Sequence, residues 1–167
     1  MSVQSFEPVV GTNPRILILG SMPGVASLKA VQYYAHPRNL FWVIMEDLFD
    51  IDHKQPYVER IALIKMHPVV LWDSLSQCER PGSLDSNINR QTAEPNNIGK
   101  LLIENPSITV ITFNGAASKN YFDKLVKPQL NIERPIEYLA MPSTSPANAS
   151  IKLDAKLAAW RRLRDFI

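Results

Sequence analysis

The groups in this chain best suited to chemistry are crowded into one segment, Gln32-Tyr33-Tyr34-Ala35-His36-Pro37-Arg38-Asn39-Leu40-Phe41-Trp42. Aromatic rings, basic groups and amides are packed there more densely than anywhere else in the sequence. The segment prolongs a loop that begins with GSMPGVAS, directly after the apolar run RILIL. Three more apolar runs end in the same manner: VVLW in DSLSQCERPGS, TVITF in NGAAS, and YLAMP in STSPANA. In an open α/β sheet, ligands bind outside the carboxyl ends of the strands, where side chains and free amides from several loops converge. Polar loops that follow strands so consistently mark that edge as the working face.

Several chemistries are set aside by spacing. GSMPG lacks the Lys-Ser/Thr ending of a nucleotide-binding P-loop and the GxGxxG spacing of a dinucleotide site. His36, His53, His67 and Cys78 show no metal-ligand spacing, so neither a metal nor a cofactor is expected. There is no GxSxG elbow for an esterase. Taken singly, the remaining groups have ordinary structural roles open to them. Tyr33 and Tyr34 can be core aromatics, His36 a satisfied buried histidine, and Ser143, Thr144 and Ser145 caps of the last helix. Such roles leave the concentration of YYAHPRN and STSPAN on one edge unexplained.

The elements that must position these groups follow from hydrophobic pattern. Residues 15–19, 69–72, 109–113 and 136–141 read as strands. Residues 39–49, 57–66, 97–104, about 116–126 and 150–167 read as helices, with Asn39 a candidate N-cap. In the last, Leu153, Leu157, Trp160, Leu163 and Ile167 are spaced as a buried stripe. Residues 74–97 are the most loop-like part, with short helix-compatible pieces. Strands alternating with helices imply right-handed crossovers. The expected fold is therefore an α/β three-layer sandwich, with a central four-stranded parallel sheet flanked by helices, in a single domain over 1–167.

Bulk properties narrow the class. A hydrophobic content of 46% with 20% charge suits a soluble globular protein, and no apolar run is long enough to span a membrane. The start, MSVQSFEPVVGTNP, does not read as a secretory signal, and one cysteine cannot make an internal disulfide; a cytoplasmic setting is expected. A net charge of +2 is too small to argue for nucleic acid. Lys152, Lys156, Arg161, Arg162 and Arg164 make the last helix basic, read here as a solvated face rather than a DNA contact.

The segment 17–45, LILGSMPGVASLKAVQYYAHPRNLFWVIM, taken with VLWDSLSQCERPGSLDSNI, FNGAAS and MPSTSPANA in that order, resembles the uracil-DNA glycosylase superfamily. The likeness is nearest to its DNA-deoxyinosine branch, which recognises hypoxanthine. Mismatch-specific uracil and thymine relatives carry a water-positioning asparagine at the third position of this first motif. Here that position is Met22, which can neither activate nor orient water. In the deoxyinosine branch the polar duty falls to the Asn of HPRN, which is Asn39 here.

The resemblance implies a monomer that flips a deaminated base out of DNA and hydrolyses its N-glycosidic bond, leaving an abasic site. It implies Tyr34 as the stacking platform, and backbone groups around Ser21, Met22, Pro23 and Gly24 against the base's polar edge. Asn39 would orient water or hold the departing base, with Asn114 the second catalytic candidate. Ser143, Thr144, Ser145, Pro146 and Asn148 would meet the flanking phosphates or the vacated stack. No lysine falls where Schiff-base chemistry needs one, so release without strand cleavage is expected. Two alternatives stay open: a uracil or mismatch glycosylase of the same superfamily, and a flavodoxin-like nucleotide-binding module that does no chemistry on DNA.

Overall fold

The apolar runs at 16–20 and 110–114 are buried at every position, the pattern of strands covered on both faces. The computed structural model describes residues 2–167. Its elements in chain order are β1 (Ser2–Gln4), β2 (Val9–Val10), β3 (Ile16–Gly20), α1 (Val25–Ala30), α2 (Phe41–Phe49), α3 (Tyr57–Ile64), β4 (Val69–Asp73), β5 (Leu75–Glu79), β6 (Asn89–Pro95), α4 (Ile98–Glu104), β7 (Val110–Asn114), α5 (Ala116–Tyr121), β8 (Glu137–Met141) and α6 (Leu153–Trp160). Side-chain alternation along the strands divides the core in two. Ile16, Ile18, Val69, Leu71 and Val110 pack with Phe41, Met45 and Trp160 from α2 and α6. Leu17, Leu19, Val70, Ile111 and Phe113 pack with Ile98 and Leu102 of α4 and with Phe122 on the opposite face. The three-layer arrangement expected from sequence is present.

The main sheet has strand order β2-β4-β3-β7-β8. Strands β4, β3, β7 and β8 are parallel, as expected, but the two-residue β2 adds an antiparallel fifth strand. Val9 and Val10 pair with Leu71 and Val70 and cover the otherwise open edge of β4. A strand that short carries no period to read.

A larger departure lies in residues 74–97. Far from being loop, they supply β5 and β6, which form a second, antiparallel sheet in the order β1-β5-β6. Register shifts between Leu75 and Gln77, and again between Gln77 and Glu79, break the two-residue alternation. Strand β6, NRQTAEP, also has no aliphatic run. Beneath this sheet Leu75, Cys78 and Ile88 close a small core with Met22.

The C-terminal helix begins at Leu153, later than expected, because residues Pro146–Asn148 form a separate 3-10 turn capped by Ser145. From Arg161 the winding tightens to 3-10, which changes the angular phase. Leu157, Trp160 and Leu163 join the core, while Leu153 and Ile167 at the ends of the expected stripe are 37% and 45% exposed. Arg161 and Arg164 both pair with Asp47 of α2, so part of the basic face is occupied in tying the last helix down. No helix among the described residues is long and apolar enough to cross a membrane.

Trp160 has no exposed surface and packs edge-on to Phe41, with its Nε1 donating to the Pro142 carbonyl at 3.0 Å. Trp160→Ala is expected to lower stability in urea denaturation by roughly 3–5 kcal/mol, from the cavity and the lost indole bond. Leu153→Ala, at the exposed end of the stripe, is expected to stay within about 0.5 kcal/mol of wild type.

Candidate active site

Parallel pairing sets Gly20 directly beside Asp73, and the β3–β7 register, which pairs Leu19 with Phe113, brings Asn114 to its other side. Neighbours across a sheet project from the same face. Asp73, Gly20 and Asn114 therefore form a row at the carboxyl edge, on the face covered by α2 and α6. The middle member has no side chain. A Cβ on Gly20 would lie 2.5 Å from Asp73 Oδ1 and 3.1 Å from the Tyr34 hydroxyl. The space left there belongs to a cavity of about 140 Å³, at the point where the strand order reverses about β3.

Tyr34 enters the cavity wall in the left-handed backbone region, at φ 56°. That is an uncommon conformation for a bulky residue, and it is found where surrounding structure imposes it. Its ring stacks on Phe41 with centroids 3.9 Å apart and planes inclined by 20°. The hydroxyl is buried and has no partner in the protein. The neighbouring Tyr33 takes the structural role instead. It is buried, it donates to the Glu7 carbonyl, and its own carbonyl accepts from Trp42 Nε1.

Asn39 closes the turn that starts α2. Its Oδ1 accepts from the Phe41 amide at 3.0 Å, and its own amide donates to the His36 carbonyl. Because a backbone N–H can only donate, this bond fixes which end of the carboxamide is oxygen. The N-cap position itself falls to Leu40, with α2 running from Phe41, so Asn39 fixes the turn just before the helix rather than serving as the N-cap expected from sequence. The carboxamide NH₂ remains available at the cavity wall.

Asn114 is buried and holds Thr144 at two points. Its Oδ1 accepts from the Thr144 amide at 2.9 Å, and its Nδ2 donates to the Thr144 hydroxyl at 3.0 Å. The Thr144 carbonyl in turn accepts from the Leu40 amide. Thr144, grouped by sequence with the phosphate contacts, is 1% exposed, with its hydroxyl occupied. Its place is as a strut joining β7, the loop after β8 and the start of α2. Ser143 and Ser145 remain accessible around it, their hydroxyl oxygens accepting from the Ser145 and Ala147 amides. Gly115, at φ +94°, lets the chain pass close by; a Cβ there would meet Ser143 Cβ at 3.0 Å.

The loop after β3 is pinned from the second sheet. Arg80 is buried and donates to the carbonyls of Pro23 and Gly82, and Ser83 Oγ accepts from the Val25 amide. Ser21 Oγ donates to Asp85 Oδ1 at 2.6 Å. Met22 is buried in the small core, which accounts for an apolar side chain at that motif position.

Ser21, Met22, Pro23, Gly24, Tyr34, Asn39, Asn114, Ser143, Thr144, Ser145 and Pro146 all border this cavity, although they come from three separate parts of the chain. Asn148 lies outside it, on a wider groove of about 670 Å³ that shares Ser143 and Ser145 with the cavity mouth. Sequence reasoning missed Asp73, Asp85 and Arg80. Asp73 was accessible to the rule already in use, since it directly follows the second apolar run. Arg80 and Asp85 were not, because their approach depends on the second sheet. Glu46, Asp52 and His53 lie close enough together to share a cation, but on the surface and away from the cavity.

Burial, reinforced by the charge of Asp85, raises the Asp73 carboxyl from an ordinary 3.8 to about 7. Asp73 is 4% exposed, and its Oδ2 has no partner in the protein. Between these two pH values the folded chain holds a proton that the unfolded chain has released, so stability falls as pH rises through that window. The penalty is absent below about pH 4 and complete above about pH 7. Asp73→Asn removes the charge and is expected to raise the melting temperature at pH 8, with the gain fading toward pH 4. Thermal melts of both proteins across that range measure it.

The model of the Uracil DNA glycosylase superfamily matches residues 8–164. The chain is 37% identical over 126 residues to the hypoxanthine DNA glycosylase of Methanosarcina barkeri, covering 72% of this chain and 76% of that protein. It is 33% identical over 153 residues to the hypoxanthine DNA glycosylase of Methanosarcina acetivorans, covering 89% of each. Among solved structures it is similar to a provisionally assigned uracil DNA glycosylase from Methanosarcina acetivorans, solved by solution NMR. The TM-score is 0.78 with 28% identity, over 98% of this chain and 99% of that one. With a family model spanning nearly its whole length, and relatives this similar over most of theirs, the chain belongs to the uracil DNA glycosylase superfamily.

Proposed function

We propose that this protein is a monofunctional DNA glycosylase that hydrolyses the N-glycosidic bond of deaminated nucleotides, chiefly deoxyinosine. It releases hypoxanthine and leaves an abasic site, acting as a monomer in the cytoplasm. The observation that carries this reading is that Tyr34, Asn39 and Asn114 border one cavity at the switch point of the sheet. The names of the two relatives support hypoxanthine as the base. A duplex shields the bond between C1′ and the base, so the nucleotide must be extruded into such a cavity, at a cost of a few kcal/mol.

The roles follow from which atoms are free. Tyr34 offers an aromatic surface whose ring is held by Phe41, and base–aromatic stacking contributes roughly 1–3 kcal/mol. As the C1′–N bond lengthens, negative charge gathers on the base while the sugar gains oxocarbenium character. Asn39 has its oxygen engaged by the Phe41 amide, which supports its NH₂ as a donor to the departing base rather than as an acceptor that orients water. Asn114 retains one amide hydrogen beyond its bond to Thr144 and is the second donor.

The hydroxyls of Ser143 and Ser145 keep their protons for flanking phosphates, while Thr144 positions the loop. Pro146 and Asn148 would lie beside the vacated stack. The wider groove continues from the cavity mouth past Lys119 and Asn120, a route for the flanking strand. No lysine borders the cavity itself, which supports base release without strand cleavage.

Oligonucleotides carrying hypoxanthine, uracil or xanthine, incubated with the protein and then cleaved with alkali, test the reading directly. Strand breaks that depend on alkali, fastest at hypoxanthine, are expected; no release from any of the three would end it. Asn39→Ala is expected to slow single-turnover release by about 10²-fold or more, the order of a lost preorganised donor. Asn39→Asp keeps the acceptor of the turn before α2 and loses the NH₂, so it should melt like wild type and release base nearly as slowly as Asn39→Ala. Near-normal rates in Asn39→Asp would leave this residue only its turn hydrogen bond, worth about 1 kcal/mol.

Gly20→Ala is a second test, because its methyl would fall where Asp73 and Tyr34 approach. Release is expected to fall by at least about 10-fold, the scale of a disturbed reacting geometry. Gly24→Ala, whose nearest neighbour is the Ser83 hydroxyl at 3.4 Å, should be milder.

A further inference from the structure

One duty of the hydrolysis has no owner among the residues discussed so far. A water must be held near C1′ and must give up a proton. Met22 has no group for this, and the Asn39 oxygen is engaged by the Phe41 amide. With the base in the cavity and the flanking phosphates in the wider groove, the sugar that joins them lies where the two spaces meet. Four residues border both: Ser83, Asp85, Ser143 and Ser145. Of these four only Asp85 is charged, and only its carboxylate can take a proton from water near neutral pH.

The carboxylate is fixed at one end. The hydroxyl of the buried Ser21 donates to Oδ1 at 2.6 Å, and the Ile88 amide donates to the Asp85 carbonyl. Among the described residues nothing donates to Oδ2, and the side chain is accessible at the groove. Packing around the carboxyl raises its proton affinity, while the Ser21 hydroxyl and the Arg80 charge oppose that rise. Asp73 is lifted to about 7, by burial and then by the Asp85 charge. Of the two carboxyls at the cavity, Asp73 is therefore the one that keeps its proton, and the negative charge stays on Asp85.

We infer that Asp85 is a further catalytic residue, whose carboxylate faces C1′ of the extruded nucleotide, holds the attacking water and stabilises the positive charge on the sugar. This role rests on the reading of the cavity as the pocket of a DNA glycosylase. The C1′–N bond breaks with both electrons going to the base. The water oxygen forms the new bond to C1′, and the proton it loses passes to Asp85 and then to solvent. The departing base, held by the Asn39 NH₂, takes up a proton from solvent in turn. The sugar is most positive in the transition state, so a fixed carboxylate beside it favours that state over bound substrate. A residue carried by the second sheet thus supplies what Met22 in the first motif does not.

Two measurements test the assignment. Asp85→Asn keeps an oxygen for the Ser21 hydroxyl but loses charge and basicity, so single-turnover release of hypoxanthine should slow by about 10²-fold or more. The second measurement is binding, at about pH 6, of oligonucleotides in which the target nucleoside is replaced by neutral tetrahydrofuran or by protonated pyrrolidine. Wild type should bind the cationic analogue more tightly by about 10-fold or more, as a mimic of the charged sugar. Asp85→Asn should lose that preference while still binding the neutral analogue. A folded Asp85→Asn protein with the wild-type rate overturns the inference. So does one that releases base slowly yet keeps the cation preference, since a merely structural role would leave that preference in place. An active wild type that binds both analogues alike overturns it without any variant. Wild-type protein that releases no base from any oligonucleotide overturns the glycosylase reading as well.

Discussion

The cavity exists because one position in the row at the sheet's carboxyl edge has no side chain. Gly20 lies between Asp73 and Asn114, on a face that is otherwise filled with aliphatic and aromatic side chains. Any Cβ there would press against the Asp73 carboxyl and the Tyr34 hydroxyl. A parallel sheet buried on both faces has a packed interior, and a gap in it is costly unless something fills it. Here polar groups from the adjoining strands and from the loop before α2 reach into the region of that gap. The site is thus a defect in the core placed where three strands end.

Its walls depend on hydrogen bonds between loops more than on the strands themselves. Asn114 and Thr144 join the end of β7 to the loop after β8, and the Thr144 carbonyl joins both to the first residue before α2. Arg80, reaching from the second sheet, fastens the loop after β3 through the Pro23 carbonyl. A satisfied polar network of this kind holds one geometry firmly, and a single missing member leaves buried groups unpaired. That accounts for several residues of the first and last motifs serving the scaffold while bordering the cavity. It also accounts for Met22, which anchors its loop in the small core.

Asn39 shows how a single side chain can serve both architecture and chemistry. Its oxygen fixes the turn that leads into α2 and its NH₂ is left at the cavity wall, so the turn aims the donor. Tyr34 is similar, with its ring stacked on Phe41 and its hydroxyl buried without a partner. In both residues one end is fixed by the fold and the other is unused by it.

The sequence alone determined the parallel core of the sheet, because RILIL, VVLW, TVITF and YLAMP are short apolar runs ended by Gly, Asp, Asn and Pro. It determined the working edge as well, since chemistry that follows strands must collect at their carboxyl ends. Strand β2 and the second sheet were not legible. Two residues carry no period, and the register shifts of β5 erase alternation. Tertiary structure alone decided which of the grouped polar residues are struts and which are free. Thr144 and Ser143 are neighbours of similar chemistry, yet pairing with Asn114 buries one and leaves the other accessible. Asp73 is one carboxylate among the chain's 16 acidic residues until the β3–β4 register sets it beside a glycine. Local pattern fixes where elements run, whereas burial and partnership are properties of the packed whole, and those two quantities decide which groups are left to act.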